Sequence, residues 1–143
     1  VDYPEDREER AIFAKHHAAA SGTELDTLQA LVETDDLATL RKNASEVSVS
    51  DQILDYLTEC TRASRVHVSV SVGISPRAGL AWLKAAKTEA CLQGRDYVIP
   101  DDLKRWAPAI MRHRLVLTPA AEVSGVHPDE VVQSLLEQVA VPT

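Results

Sequence analysis

The sequence predicts a mainly α fold: a compact helical bundle of about six to seven helices with at most a minor two-stranded β element. Three observations carry this expectation. Apolar residues recur at helical spacing through most of the chain, and a proline or a small polar cap precedes most of those stretches. Alternating β-branched runs are confined to short pieces around 47–49, 66–74 and 114–117. The chain has 143 residues, 45% of them hydrophobic, which suits one domain with a real core. Aromatic residues are only 4%, so Leu, Val, Ile and Ala must fill that core.

In chain order, PEDREERAIFAKHHA starts with Pro and acidic side chains, as a helix should, and Ile12 and Phe13 are its larger apolar contacts. SGTELDT is a short loop, after which Leu28, Leu31 and Val32 recur at helical spacing. A third helix starts from Asp35 and Asp36. EVSVS is extended, and Ser50 caps a helix whose stripe is Ile53, Leu57 and Cys60, with Leu54 beside it. VHVSVSVGI is extended up to Gly73. A long helix then runs from Pro76 to about Gln93 and ends at Gly94, a residue suited to the position after a helix. Pro100 and Asp101 open DLKRWAPAIMRH, and RLVL is a second short strand, placed beside Val47 and Val49. After a loop at Gly125, HPDEVVQSLLEQV closes the chain as a helix carrying Val131, Val132, Leu135 and Leu136.

The net charge of −7 is unevenly spread. Residues 1–50 carry −6, residues 51–117 carry +3, and residues 118–143 carry −4 with no basic side chain. Non-specific nucleic-acid binding depends on neutralising phosphates, so an acidic chain is a poor candidate for it, and the rival of a small DNA-binding domain using Arg112 and Arg114 is disfavoured. No apolar run approaches the roughly 18 residues of a membrane span, and the acidic N-terminus lacks the apolar stretch of a secretion signal. The chain begins without Met and moves directly into helical sequence, which suggests a domain of a longer protein. Cys60 and Cys91 show no disulfide or zinc spacing, so a reduced, cytoplasmic setting is the simplest expectation.

Most chemistry-bearing residues have a structural explanation. His16 and His17 diverge by about 100° on a helix, His67, His113 and His127 lie in separate segments, and no H-x-x-x-H or C-x-x-C spacing occurs. No metal site is expected. The pairs Asp35–Asp36 and Asp101–Asp102 stand where helices begin, which favours capping over acid–base chemistry. Arg112 and Arg114 flank a helix C-terminus, RASR is a second small basic cluster, and Arg95 next to Asp96 suggests a local ion pair that fixes the turn.

Arg77 is harder to explain. Ser75 caps its helix, Pro76 is the first helical residue, and Arg77 follows in the first turn, where the helix dipole disfavours a cation by about 0.3–1 kcal/mol. Ala81 offers it nothing, and Lys84 on the same face repeats the charge. Either a carboxylate of another helix pairs with it, or the guanidinium and the free N–H groups of the helix start await an anion such as phosphate.

The stretch GISPRAGLAWLKAAKTEACLQGRDYVIPDDLKRWAPAIMRHRLVL strongly resembles the C-terminal lid of MoxR-family AAA+ ATPases, whose pattern joins G-x-SPRA, a helix, GR-x-YV-x-PDD and HR. The segments DYPEDREERAIFAKHH, VSVSDQILDYLTECTRASR and VHPDEVVQSLLEQVAVP are similar to the rest of that lid, so residues 1–143 are expected to form one helical lid domain. The resemblance implies that Arg77 is the sensor 2 arginine, stabilising charge at the γ-phosphate of ATP, with Ser75 and Pro76 beside it at the nucleotide. It implies ATP and Mg2+ as ligands of a core domain that this segment lacks, because no G-x-x-x-x-G-K-[ST] loop is present. It also implies a ring oligomer, a hexamer in the complete protein, chaperone-like assembly or maturation of other complexes, and partners with von Willebrand factor A domains. Gly79 weakens its helix and suggests a close approach of the core, whereas Trp82 is expected to pack within the bundle. This segment alone is not expected to hydrolyse ATP. The alternative is a helical interaction module with no nucleotide connection, presenting Asp129, Glu130 and Glu137.

Overall fold

The computed structural model describes residues 3–18 and 28–142. Among them run α1 (Asp6–Ala18), α2 (Thr34–Glu46), α3 (Asp51–Val66), β1 (Val70–Val72), α4 (Pro76–Leu92), α5 (Pro100–Met111), β2 (Val116–Leu117), α6 (Pro119–Val123) and α7 (Pro128–Gln138). The mainly helical expectation holds: seven helices and one small antiparallel sheet. The chain divides into two compact units, Val1–Thr34 and Asp35–Thr143.

In the first unit, α1 places Asp6, Glu8 and Glu9 in its first turn and Lys15, His16 and His17 in its last, which complements the helix dipole at both ends. Ile12 and Phe13 are not packed as expected: they stay 55% and 65% exposed. The expected SGTELDT loop lies outside the described residues. The helix expected around Leu28, Leu31 and Val32 is absent, since residues 28–33 are irregular and all three side chains are exposed. So short an apolar repeat makes too few backbone hydrogen bonds to offset helix nucleation without a surface to bury it.

The second unit holds the core. Ile53, Tyr56, Leu57 and Cys60 of α3 face Ala78, Trp82, Ala86 and Ala90 of α4, Leu103, Ala107 and Met111 of α5, and Val131, Val132 and Leu135 of α7. The alanines of α4 allow close helix approach, and the one large side chain among them, Trp82, is fully buried. Its indole Nε1–H donates to the Leu103 carbonyl at 2.7 Å, which satisfies the polar edge that burial would leave unpaired.

Strand pairing differs from expectation. β2 pairs with β1, with Val70 opposite Leu117 and Val72 opposite Val116 across an irregularity. Segment 47–49 instead meets the loop after α4: Ser48 N–H donates to the Asp96 carbonyl at 2.8 Å, and Val98 N–H donates to the Ser48 carbonyl at 3.1 Å. Val47 and Val98 are thereby both buried.

The end of α4 follows from local chemistry. Gly94 has φ +73, a region costly for residues with a Cβ. Its N–H donates to the Cys91 carbonyl, and Arg95 N–H donates to Ala90, so two last-turn carbonyls are satisfied together.

Candidate functional site

The start of α4 is fixed from below by the end of α3. Ile74 is buried between them: its N–H donates to Ser64 Oγ at 3.1 Å, and its carbonyl accepts from Arg65 Nε at 3.1 Å. Gly73 makes that approach possible. A Cβ there would lie 2.7 Å from both the Arg65 nitrogen and the Ser64 oxygen, closer than real Cβ atoms come to backbone. Arg65 of the RASR cluster is thus a structural clasp.

Ser75 and Pro76 then set the first turn. Ser75 Oγ accepts from Ala78 N–H at 3.3 Å, its carbonyl accepts from Gly79 N–H at 3.1 Å, and Pro76 has no N–H to satisfy. The one first-turn amide left over is that of Arg77 itself. The Arg77 side chain is exposed and has no hydrogen-bond or ion-pair partner among the described residues. Among the described residues no carboxylate of another helix answers it. Ala78 and Gly79, its neighbours, are buried, so the backbone beneath the guanidinium is held.

Beside this turn, a groove of about 630 Å³ separates α3 from α4. Leu54, Leu80 and Leu83 give it apolar walls, and Arg62 and Arg65 stand on its α3 side. Gly79 lines it too, but α3 does not demand a glycine there: an added Cβ would meet Thr61 Oγ1 at 3.6 Å, an ordinary contact.

Two polar networks brace α4 against α5, and neither was foreseen. Arg95 pairs with Asp102, not with Asp96: Nη1 and Nη2 donate to its two carboxylate oxygens at 2.8 and 2.6 Å. Asp102 also accepts from Ile99 N–H at 2.9 Å, so one buried carboxylate closes the loop and caps α5. The Asp102 hydrogen bonds hold the Arg95 guanidinium above its ordinary pKa. In the second network the buried Glu89 accepts from Trp106 Nε1 at 3.1 Å and Gln93 Nε2 at 3.0 Å, and meets Arg105 Nη1 at 3.2 Å. Glu89 lies on α4 and the consecutive Arg105 and Trp106 on α5, a grouping visible only once the two helices are known to be neighbours.

The remaining candidates stay structural. Arg112 Nε donates to the Pro108 carbonyl and meets Asp129 at 3.1 Å, and Arg114 bonds the Ile110 carbonyl, so both serve the end of α5. His67 Nδ1 accepts from Ser69 N–H and His127 Nδ1 from Asp129 N–H, each shaping a helix end. Among the described residues no three His, Cys, Asp or Glu side chains gather where a metal could sit, and no helix is long and apolar enough to cross a membrane.

Known proteins agree with this architecture. The YeaC protein of Bacillus subtilis is 36% identical over 118 residues, 82% of this chain and 37% of its own length. The chaperone MoxR1 of Mycobacterium tuberculosis is 34% identical over 99% of this chain and 39% of its own. The chain therefore spans less than two fifths of these relatives. A solved structure of a candidate ATPase from Cytophaga hutchinsonii superposes with a TM-score of 0.78 at 24% identity, over 100% of this chain and 45% of that one, a likeness of fold. The AAA lid domain family matches residues 62–135, from the last turns of α3 through the Ser75–Arg77 turn to α7. With just over half of its residues inside that match and MoxR proteins among its relatives, this chain belongs to the AAA lid domain family, as a lid of the MoxR type.

Proposed function

We propose that this lid contributes Arg77 as the sensor 2 residue of a MoxR-type AAA+ ATPase, with the guanidinium directed at the γ-phosphate of ATP bound by a nucleotide-binding core. The observation that carries the reading is the unanswered cation at the start of α4: exposed, without a partner among the described residues, and mounted on a turn clasped by Gly73, Ile74 and Arg65. Such a charge is disfavoured by the helix dipole where it stands, and an incoming phosphate reverses the sign of that effect. Ser75 and Pro76 shape the turn and so aim the guanidinium and the one free amide beside it.

The fit to nucleotide is partial. The chain offers one fork-shaped cation and one amide for a terminal phosphate, but no phosphate loop and, among the described residues, no gathered carboxylates for Mg2+. ATP, when bound by the core, supplies the reactive phosphoryl group. Arg77 supplies positive charge where negative charge accumulates, and α4 transmits its position to α5 through Trp82, Glu89 and the Arg95–Asp102 pair. In the complete protein this coupling serves chaperone-like assembly or maturation of partner complexes, from a hexameric ring in a cytoplasmic setting, with von Willebrand factor A domain proteins as partners.

The test is steady-state hydrolysis by the complete protein carrying Arg77→Ala. By the scale of other phosphate-facing arginines, turnover falls on the order of 10³-fold with folding intact. Normal turnover removes the assignment and favours the nucleotide-independent interaction module.

A further inference from the structure

The cations of the second unit are not distributed at random. Of its twelve Lys and Arg side chains, five lie against carboxylates: Lys42, Arg95, Lys104, Arg105 and Arg112. Three more donate to backbone carbonyls: Arg65, Lys87 and Arg114. Arg41, Arg62, Arg77 and Lys84 have no partner among the described residues.

Lys84 lies two turns beyond Arg77 on the same stripe of α4, which continues through Thr88 and Cys91. Against that stripe lies α2. Between the two helices is a cleft of about 570 Å³ lined by Arg41, Ala44, Ser45, Lys84, Lys87 and Thr88, with three cations and no carboxylate. Lys87 Nζ donates to the Ser45 carbonyl at 2.6 Å, which pins the end of α2 to α4 and holds the cleft. Arg41, Ala44 and Thr88 also line an adjoining notch of about 170 Å³, whose further walls are Leu37, Leu40, Cys91 and Leu92. α2 buries none of its residues, and Leu37 and Leu40 stay 45% and 46% exposed although they face this notch. Among the described residues, charge without counter-charge and apolar surface without cover thus meet at one place in a chain of net charge −7.

We propose that the α2–α4 cleft docks an acidic peptide segment of another protein, with its carboxylates on Arg41, Lys84 and Lys87 and an apolar side chain in the Leu37–Leu40–Leu92 notch. Charge complementarity selects the occupant. A nucleic acid has phosphates for the cations but nothing for the notch, and the acidic chain repels it. A second copy of this chain is less suited, because three of its four C-terminal carboxylates are already engaged: Asp129 by Arg112, Glu130 by His127 N–H and Glu137 by Gln133. The proposal stands whether or not Arg77 meets a phosphate.

The experiment is fluorescence anisotropy of a short fluorescein-labelled peptide of repeated Glu-Glu-Leu, titrated with the 143-residue chain at low salt. Binding is expected. Arg41→Glu with Lys84→Glu weakens it at least about tenfold, as does Leu37→Ser with Leu40→Ser, while Arg62→Glu on α3 leaves it unchanged. All substituted positions are exposed, and unchanged circular dichroism and melting certify the fold. Binding that survives the double charge reversal, or falls equally with Arg62→Glu, overturns the site. Displacement by an equal concentration of inorganic tripolyphosphate overturns peptide recognition. Concentration-dependent self-association abolished by the same double reversal assigns the cleft to a second copy and overturns the stated occupant.

Discussion

Arg95 grips Asp102 through two parallel hydrogen bonds of 2.8 and 2.6 Å, across the loop that joins α4 to α5. The carboxylate is 3% exposed and the loop is further tied by the Ser48 bridge to segment 47–49, so one ion pair fixes the angle between the helix that bears Arg77 and its main support. Asp102→Asn leaves the partly exposed Arg95 guanidinium without its carboxylate, and should lower unfolding free energy by about 1–3 kcal/mol. Asp96→Asn, beside Arg95 in sequence, should stay within about 0.5 kcal/mol of the unmodified chain. Urea denaturation of the two variants separates the observed pair from the adjacent one.

Gly73→Ala forces a Cβ to within 2.7 Å of the backbone of Ser64 and Arg65. Backbone does not yield as a flexible side chain does, so a loss of about 1–3 kcal/mol is expected, together with loosening of the α3–α4 junction. Hydrogen exchange at Ile74 N–H, which donates to Ser64 Oγ, reports the loosening directly.

Gly79→Ala should act in the opposite direction. The added methyl meets Thr61 at ordinary contact distance, and alanine is better than glycine in a helix, so the chain gains up to about 1 kcal/mol. A rise in urea midpoint checks it, and a fall would show that the α3–α4 junction cannot accept even a methyl group.

Cys60 is fully buried in α3, and burial pushes its thiol up to about 11 from an ordinary 9.0. Burial likewise pushes the Tyr56 phenol up, with Cys60 as the next cause. Because the folded pKa lies above the unfolded one, the stability that comes from keeping the thiol neutral is whole below pH 9 and is lost as pH rises through about 11. Urea titrations across that window should show stability falling, with a shallower slope in Cys60→Ala. At about pH 8 a thiol reagent should label Cys91 in the folded chain and reach Cys60 only on unfolding.

Those elements that are written in local chemistry were legible in the sequence. Ser50, Ser75, Pro100 and Pro128 mark helix starts, Gly94 marks a helix end, and each does so through contacts within a few residues. What escaped was chosen by three-dimensional neighbours. Arg95 takes a carboxylate seven residues on because the Gly94 turn swings the chain back. RLVL has a β-branched pattern but nothing in it to prefer 47–49 over 70–72 as a partner. Leu28, Leu31 and Val32 carry helical spacing without a surface to bury. The oddity of Arg77 was visible because a cation at a helix start is a local mismatch, but its freedom from any partner among the described residues emerges only once the surrounding helices are placed.

The most direct measurement of the central claim is a crystal structure of the complete protein with a non-hydrolysable ATP analogue. The account predicts an Arg77 guanidinium nitrogen within about 3.2 Å of a γ-phosphate oxygen, with Gly73 and Ile74 still clasped to α3. An Arg77 side chain paired with a carboxylate of the core, or turned to solvent while the nucleotide is bound, would contradict it.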